Sequence, residues 1–111
     1  MLKDWQPFHA LAKALAEGDV CLRVTGLAGS ARAFVVAELF QTHPQPLVVV
    51  VDGPVAAHRF TLDLAFFGAP VAEFPEPEPR LWRGGRQREA EAERAVACRR
   101  LAAGEPVIVV A

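Results

Sequence analysis

With 111 residues, 52% of them hydrophobic, the chain has the length and composition of one globular domain, able to bury about two-thirds of its unfolded surface without disulfide or metal staples. Twelve Lys plus Arg against 13 Asp plus Glu leave a net charge of −1, which supplies neither the basic field that drives nucleic-acid affinity nor an acidic tail for a polycation. Apolar runs such as Leu47 to Val51 fall far short of the roughly 20 residues that span a bilayer, and the N-terminal Met-Leu-Lys-Asp-Trp has no signal-peptide core, so a cytoplasmic protein with no membrane partner is expected.

Phe8, Leu11, Ala12 and Leu15 recur at helical spacing and predict a helix over Pro7 to Ala16, closed by Gly18. Val20 to Thr25 (VCLRVT) is short and β-branched, which predicts a largely buried strand running into a small-residue loop, Gly26 to Ser30. Ala31 to Gln41 reads as a well-covered helix stopped by Thr42, His43 and Pro44. Leu47 to Val51 has the unbroken apolar pattern of a strand buried on both faces of a parallel sheet. Asp52 or Gly53 can cap, and Pro54 can open, a helix with the stripe Ala56, Phe60, Leu64 and Phe67, ended by Gly68 and Pro70.

A short strand from Val71 to Phe74 follows, and then Phe74 to Pro79 (FPEPEP), whose alternating prolines exclude a helix or an inner strand. Gln87 to Ala103 predicts an exposed helix with a single core face through Ala95, Cys98, Leu101 and Ala102, stopped by Gly104. A last apolar strand runs from Val107 to Val110, and a chain ending there is expected to be an N-terminal piece of a larger multidomain protein. Alternation of this kind implies one α/β domain over residues 1–111, with a mainly parallel sheet covered by helices on both faces in three layers. Any ligand crevice then belongs at the strand carboxyl ends, beside Gly26 to Arg32, Asp52-Gly53 and the segment after Phe74.

Cys21 and Cys98 lie in apolar contexts with no Cys-x-x-Cys or paired-histidine spacing, which reads as two reduced core thiols and no zinc site. His9, His43 and His58 are scattered and form no cluster, so they read as surface residues. Arg80, Trp82, Arg83, Arg86 and Arg88 make a local basic patch with an aromatic, a candidate contact for nucleic acid or a partner. Glutamates at 76, 78, 89 and 91 flank it, and a self-compensating solvated surface is the favoured reading.

The segment Thr25-Gly26-Leu27-Ala28-Gly29-Ser30-Ala31-Arg32-Ala33 stands between a predicted strand and a helix, where a phosphate-binding loop belongs. A working loop reads GxxxxGK[ST]: glycines let backbone N–H groups close on the phosphates, the lysine neutralises their charge, and the hydroxyl holds magnesium. Here only Gly26 survives in register. Ala31 replaces the second glycine, Arg32 the lysine and Ala33 the hydroxyl residue. The loop is therefore read as a structural turn, a vestigial phosphate loop comprising Gly26, Gly29, Ser30 and Arg32. Weak anion binding through Ser30 and Arg32 is the alternative. Asp52 after an apolar run also fits a metal- or substrate-binding aspartate, with turn formation or capping favoured.

The opening helix, GLAGSAR, the LVVVVDGPVAAHRFTLDLAFFG block and the closing REAEAERAVACRRLAAGEPVIVVA follow an order that resembles the first UvrB-homology subdomain of bacterial transcription-repair coupling factors (Mfd). The likeness covers roughly residues 7 to 111. Its most specific part is the closing helix followed by Pro-Val-Ile-Val-Val-Ala, similar to the valine-isoleucine-isoleucine-valine-alanine strand of UvrB. GLAGSARA aligns without a gap on the UvrB phosphate loop and lacks its final glycine, lysine and threonine. FPEPEPRLWRGG differs from the family in having no tyrosine between its prolines.

The resemblance implies a P-loop NTPase-like fold of the helicase and UvrB type. It also implies a non-catalytic role, with no cofactor, metal or catalytic residue in this part. The parent would be an ATP-dependent DNA translocase acting in transcription-coupled nucleotide excision repair, with UvrA, RNA polymerase and DNA as its partners and sister subdomains as the immediate neighbours. In the family the principal UvrA-binding surface lies on the second subdomain, so no contact residue transfers here. Two rivals stand beside this expectation: a divergent P-loop kinase or NTPase using Arg32 and Asp52, and a nucleic-acid-binding module using Arg80 to Arg88 and Trp82.

Overall fold

The structure, a computed structural model, describes residues 5–18, 21–75 and 85–111, with the backbone alone for 85–87. Four helices and three strands follow in the order α1 (Gln6–Ala16), α2 (Ala31–Thr42), β1 (Leu47–Val49), α3 (Pro54–Phe66), β2 (Val71–Glu73), α4 (Gly85–Ala102) and β3 (Ile108–Val110). Proline stands in the first turn of α1 and of α3, where a missing N–H costs nothing. The end of α3 is fixed by Gly68 at φ +81: its N–H donates to the Ala65 carbonyl at 3.0 Å while Ala69 N–H reaches back to Leu64 at 3.1 Å, a paired closure that needs a left-handed residue. Gly104 closes α4 in the same way, onto Leu101 and Arg100.

The strands pair in the order β1-β3-β2, all parallel, with Leu47 and Val71 both in register with Ile108. Single bonds extend the pairing beyond the strands, from Val51 N–H to the Ala111 carbonyl at 3.0 Å and from Phe74 N–H to Val110 at 2.7 Å. Because side chains alternate along a strand, β3 sends Ile108 and Val110 to one face and Val107 and Val109 to the other. On the first face they join Leu47, Val49 and Val71 under Ala33, Ala37 and Phe40 of α2 and Ala57 and Leu64 of α3. On the second they meet Ala72, Phe74 and the α4 residues Ala97 and Leu101. Helices therefore cover both faces, and the three-layer α/β architecture expected of the alternating pattern is present. α1 adds a satellite, with Phe8 and Ala12 packed on Val35 and Leu39 of α2.

Four expectations need correction. VCLRVT is not a buried strand: residues 21–25 pair with nothing in the sheet and are exposed. A strand is made by its partner, and the apolar side chains of Leu22 and Val24 lie instead along α1, Leu27 and Val35, around a cavity of about 370 Å³. β1 is not covered on both faces, because α4 lies over β3 and β2 and leaves Val48 59% and Val50 79% exposed. Cys21 and Cys98 are free thiols, as expected, but both are exposed rather than in the core. The core stripe of α4 runs through Ala97 and Leu101, not Ala95, Cys98 and Ala102, which face out. With alanine recurring around this helix, packing rather than composition selects the face: Ala97 and Leu101 settle against Val107 and Val109, and Arg94 sits 5.0 Å over the Phe74 ring at its edge.

Candidate functional site

The carboxyl end of β1, the loop before α2 and one flank of α3 enclose a cleft of about 920 Å³. Its floor is apolar, made by Val36, Val49, Val51 and Phe60. Its rim is charged: Arg32 from the first turn of α2, Asp52 after β1, and Arg59 and Asp63 from α3. The expected location of a crevice at the strand carboxyl ends is met, and Gly29, Ser30, Arg32 and Asp52 are brought together there. Two guanidinium and two carboxylate groups balance formally. Among the described residues no ion pair within 4 Å joins any of the four.

The loop geometry limits what this cleft can do. Ala31 N–H donates to the Ala28 carbonyl at 3.2 Å and Phe34 N–H to Ser30 at 3.0 Å, so the Ala31 amide is spent within the turn instead of being aimed at an anion. Ser30 is the N-cap of α2 with helical dihedrals, φ −71 and ψ −7, and its hydroxyl makes no capping bond. A Cβ built at Gly29 meets nothing within 4 Å, so the space beside it is open and the glycine is called for by its left-handed backbone, φ +58. Asp52 does not cap α3 either: Gly53 holds the N-cap position in extended geometry, without a side-chain cap bond. No histidine or cysteine lines the cleft, its titratable groups being Arg32, Asp52, Arg59 and Asp63, and among the described residues no group of three His, Cys, Asp or Glu side chains is placed to hold a metal ion.

Arg59 and Asp63 were not singled out from the sequence. Their signal was present in the i, i+4 spacing beside Phe60, on the flank of the predicted stripe, which aims them at the ground just beyond Asp52. His9, His43 and His58 are all exposed; His58 Nδ1 lies 3.5 Å from Glu73 Oε2, linking α3 to the end of β2. Arg80, Trp82 and Arg83 of the basic patch lie outside the described residues, and Arg86 falls in the first turn of α4, where the backbone alone is described. Arg88 is exposed beside the exposed Glu89 and Glu91. No protein-family model, no curated protein and no solved structure matches the chain.

Proposed function

We propose that this chain is a non-catalytic, UvrB-like scaffold subdomain of a bacterial transcription-repair coupling factor. It contributes to UvrA recruitment and nucleotide excision repair at stalled RNA polymerase through the protein of which it forms part. The observation that supports this most is the start of α2. The chain enters that helix beside the cleft at the strand carboxyl ends, where a phosphate loop belongs, with Ala31, Arg32 and Ala33 in place of glycine, lysine and a hydroxyl residue. Arg32 is a planar fork instead of a compact point charge, Ala33 cannot ligate magnesium, and Asp52 and Asp63 offset the charge of Arg32 and Arg59, so the cleft carries no net positive charge for a triphosphate. In this reading the fold is retained as a framework for sister subdomains, with no cofactor, and the motor activity belongs elsewhere in the parent.

Isothermal titration of the purified chain with ATP and Mg²⁺ tests the reading. No heat of binding is expected up to millimolar nucleotide, and micromolar, Mg²⁺-dependent binding overturns it. That Arg32 and Asp52 line one cleft favours a second reading, a divergent P-loop kinase or NTPase. It requires a measurable phosphoryl transfer that Arg32→Ala and Asp52→Ala each abolish, and the absence of turnover in the wild-type chain disposes of it.

A further inference from the structure

α3 is apolar on two opposite sides. Ala57, Phe60, Leu64 and Phe67 point into the main core, and the Phe67 ring packs at 5.0 Å, tilted by 49°, against Phe34 of α2. On the side away from the core, Val55, Leu62 and Phe66 are 74%, 57% and 84% exposed. At about 100° per residue, positions 55, 59, 62 and 66 fall within roughly 60° of one another, so the three form one ridge along the whole helix, with Arg59 in it and Asp63 on its flank. Single exposed apolar residues are ordinary on a protein surface, but a valine, a leucine and a phenylalanine aligned over three turns, with Arg59 at their edge, make an apolar stripe with a charged border of the kind that associates.

The charges select the occupant. Arg59 stands at one edge of the ridge and Asp63 just beyond the same edge, four residues apart, and neither has an ion-pair partner within 4 Å among the described residues. In an antiparallel pair of identical helices related by a two-fold axis, like flanks face each other with the order of residues reversed. An axis passing beside Thr61 sets Arg59 of one copy opposite Asp63 of the other, and Asp63 opposite Arg59. The same operation brings Phe66 beside the Val55 turn of the partner copy and places the two Leu62 side chains at the centre. One operation thus satisfies both charges and covers all three apolar residues. From this self-complementarity we infer that the α3 ridge is a two-fold interface between copies of this chain.

The inference shares Arg59 and Asp63 with the rim of the cleft, but its test reads association and not nucleotide binding, so it can fail while the role proposed for the cleft stands. Sedimentation equilibrium of the full chain across a concentration series is expected to give a reversible monomer–dimer equilibrium. Phe66→Glu and Leu62→Glu, both at exposed positions, are expected to yield monomers with unchanged far-ultraviolet circular dichroism. Arg59→Glu alone and Asp63→Arg alone each set like charges against each other and should weaken the dimer about tenfold. The double variant Arg59→Glu with Asp63→Arg restores opposite pairing and should return the dissociation constant to within about threefold of wild type, allowing for the scatter of exposed charge pairs. A wild-type chain that stays monomeric at the highest attainable concentration overturns the inference and leaves the ridge to a different partner. A dimer that survives Phe66→Glu also overturns it, as does a double variant as weak as the singles.

Discussion

Leu64 has no exposed surface and lies in the cluster where α2, α3 and the sheet meet. Truncating it removes the buried side chain and leaves a cavity that the two helices cannot close, so Leu64→Ala should cost about 2–5 kcal/mol, read as a lower urea midpoint with an unchanged slope. Gly68 tests a different force. At φ +81 any Cβ is strained although no atom lies within 4 Å of it, so Gly68→Ala should cost about 1–2 kcal/mol through the backbone alone. A loss much larger than that would place a side chain against Gly68. The thiols offer a direct check on exposure: Cys21 and Cys98 should both react with Ellman's reagent in the folded protein, without denaturant. If either reacted only after unfolding, its placement at the surface would be wrong.

Among the elements, those specified by local chemistry were legible in the sequence. The predicted limits of α1, α2 and α3 lie within a residue or so of the observed ones, because Pro7, Pro54, Gly18, Gly68 and the Thr42-His43-Pro44 stop act within one turn. What depends on distant partners was not legible. VCLRVT and LVVVV look alike in composition, yet only the second pairs, because β3 arrives beside it from some 60 residues further along the chain. The same dependence explains the open face of β1, since nothing in Val48 or Val50 records that α4 stops short of them. Edge strands with exposed valines invite pairing with other chains, so Val50→Lys should raise the concentration at which the protein aggregates and leave its unfolding free energy in urea unchanged within about 0.5 kcal/mol. A substantial loss of stability on that change would show Val50 to be covered.

At the scale of the whole molecule, a radius of gyration of 15.4 Å exceeds the about 13 Å expected of a compact chain of this length, in keeping with a sheet of three short strands and apolar residues left on its surface. The candidate cleft was half legible. Parallel alternation places a crevice at the strand carboxyl ends, and that rule found Gly29, Ser30, Arg32 and Asp52. Arg59 and Asp63 flank the predicted stripe of α3, whose Phe60, Leu64 and Phe67 do face the core, but charged residues beside a stripe carry no mark of a cleft until the neighbouring loop is in place. The resulting pocket has balanced charge, an apolar floor and a loop whose Ala31 amide is already bonded, and the proposed scaffold role requires that it hold no triphosphate. An amide-resolved NMR titration with ATP and Mg²⁺ tests this most directly. The account predicts that the Gly29, Ser30 and Arg32 resonances stay unmoved, whereas saturable, magnesium-dependent shifts at those three amides with micromolar affinity would contradict it.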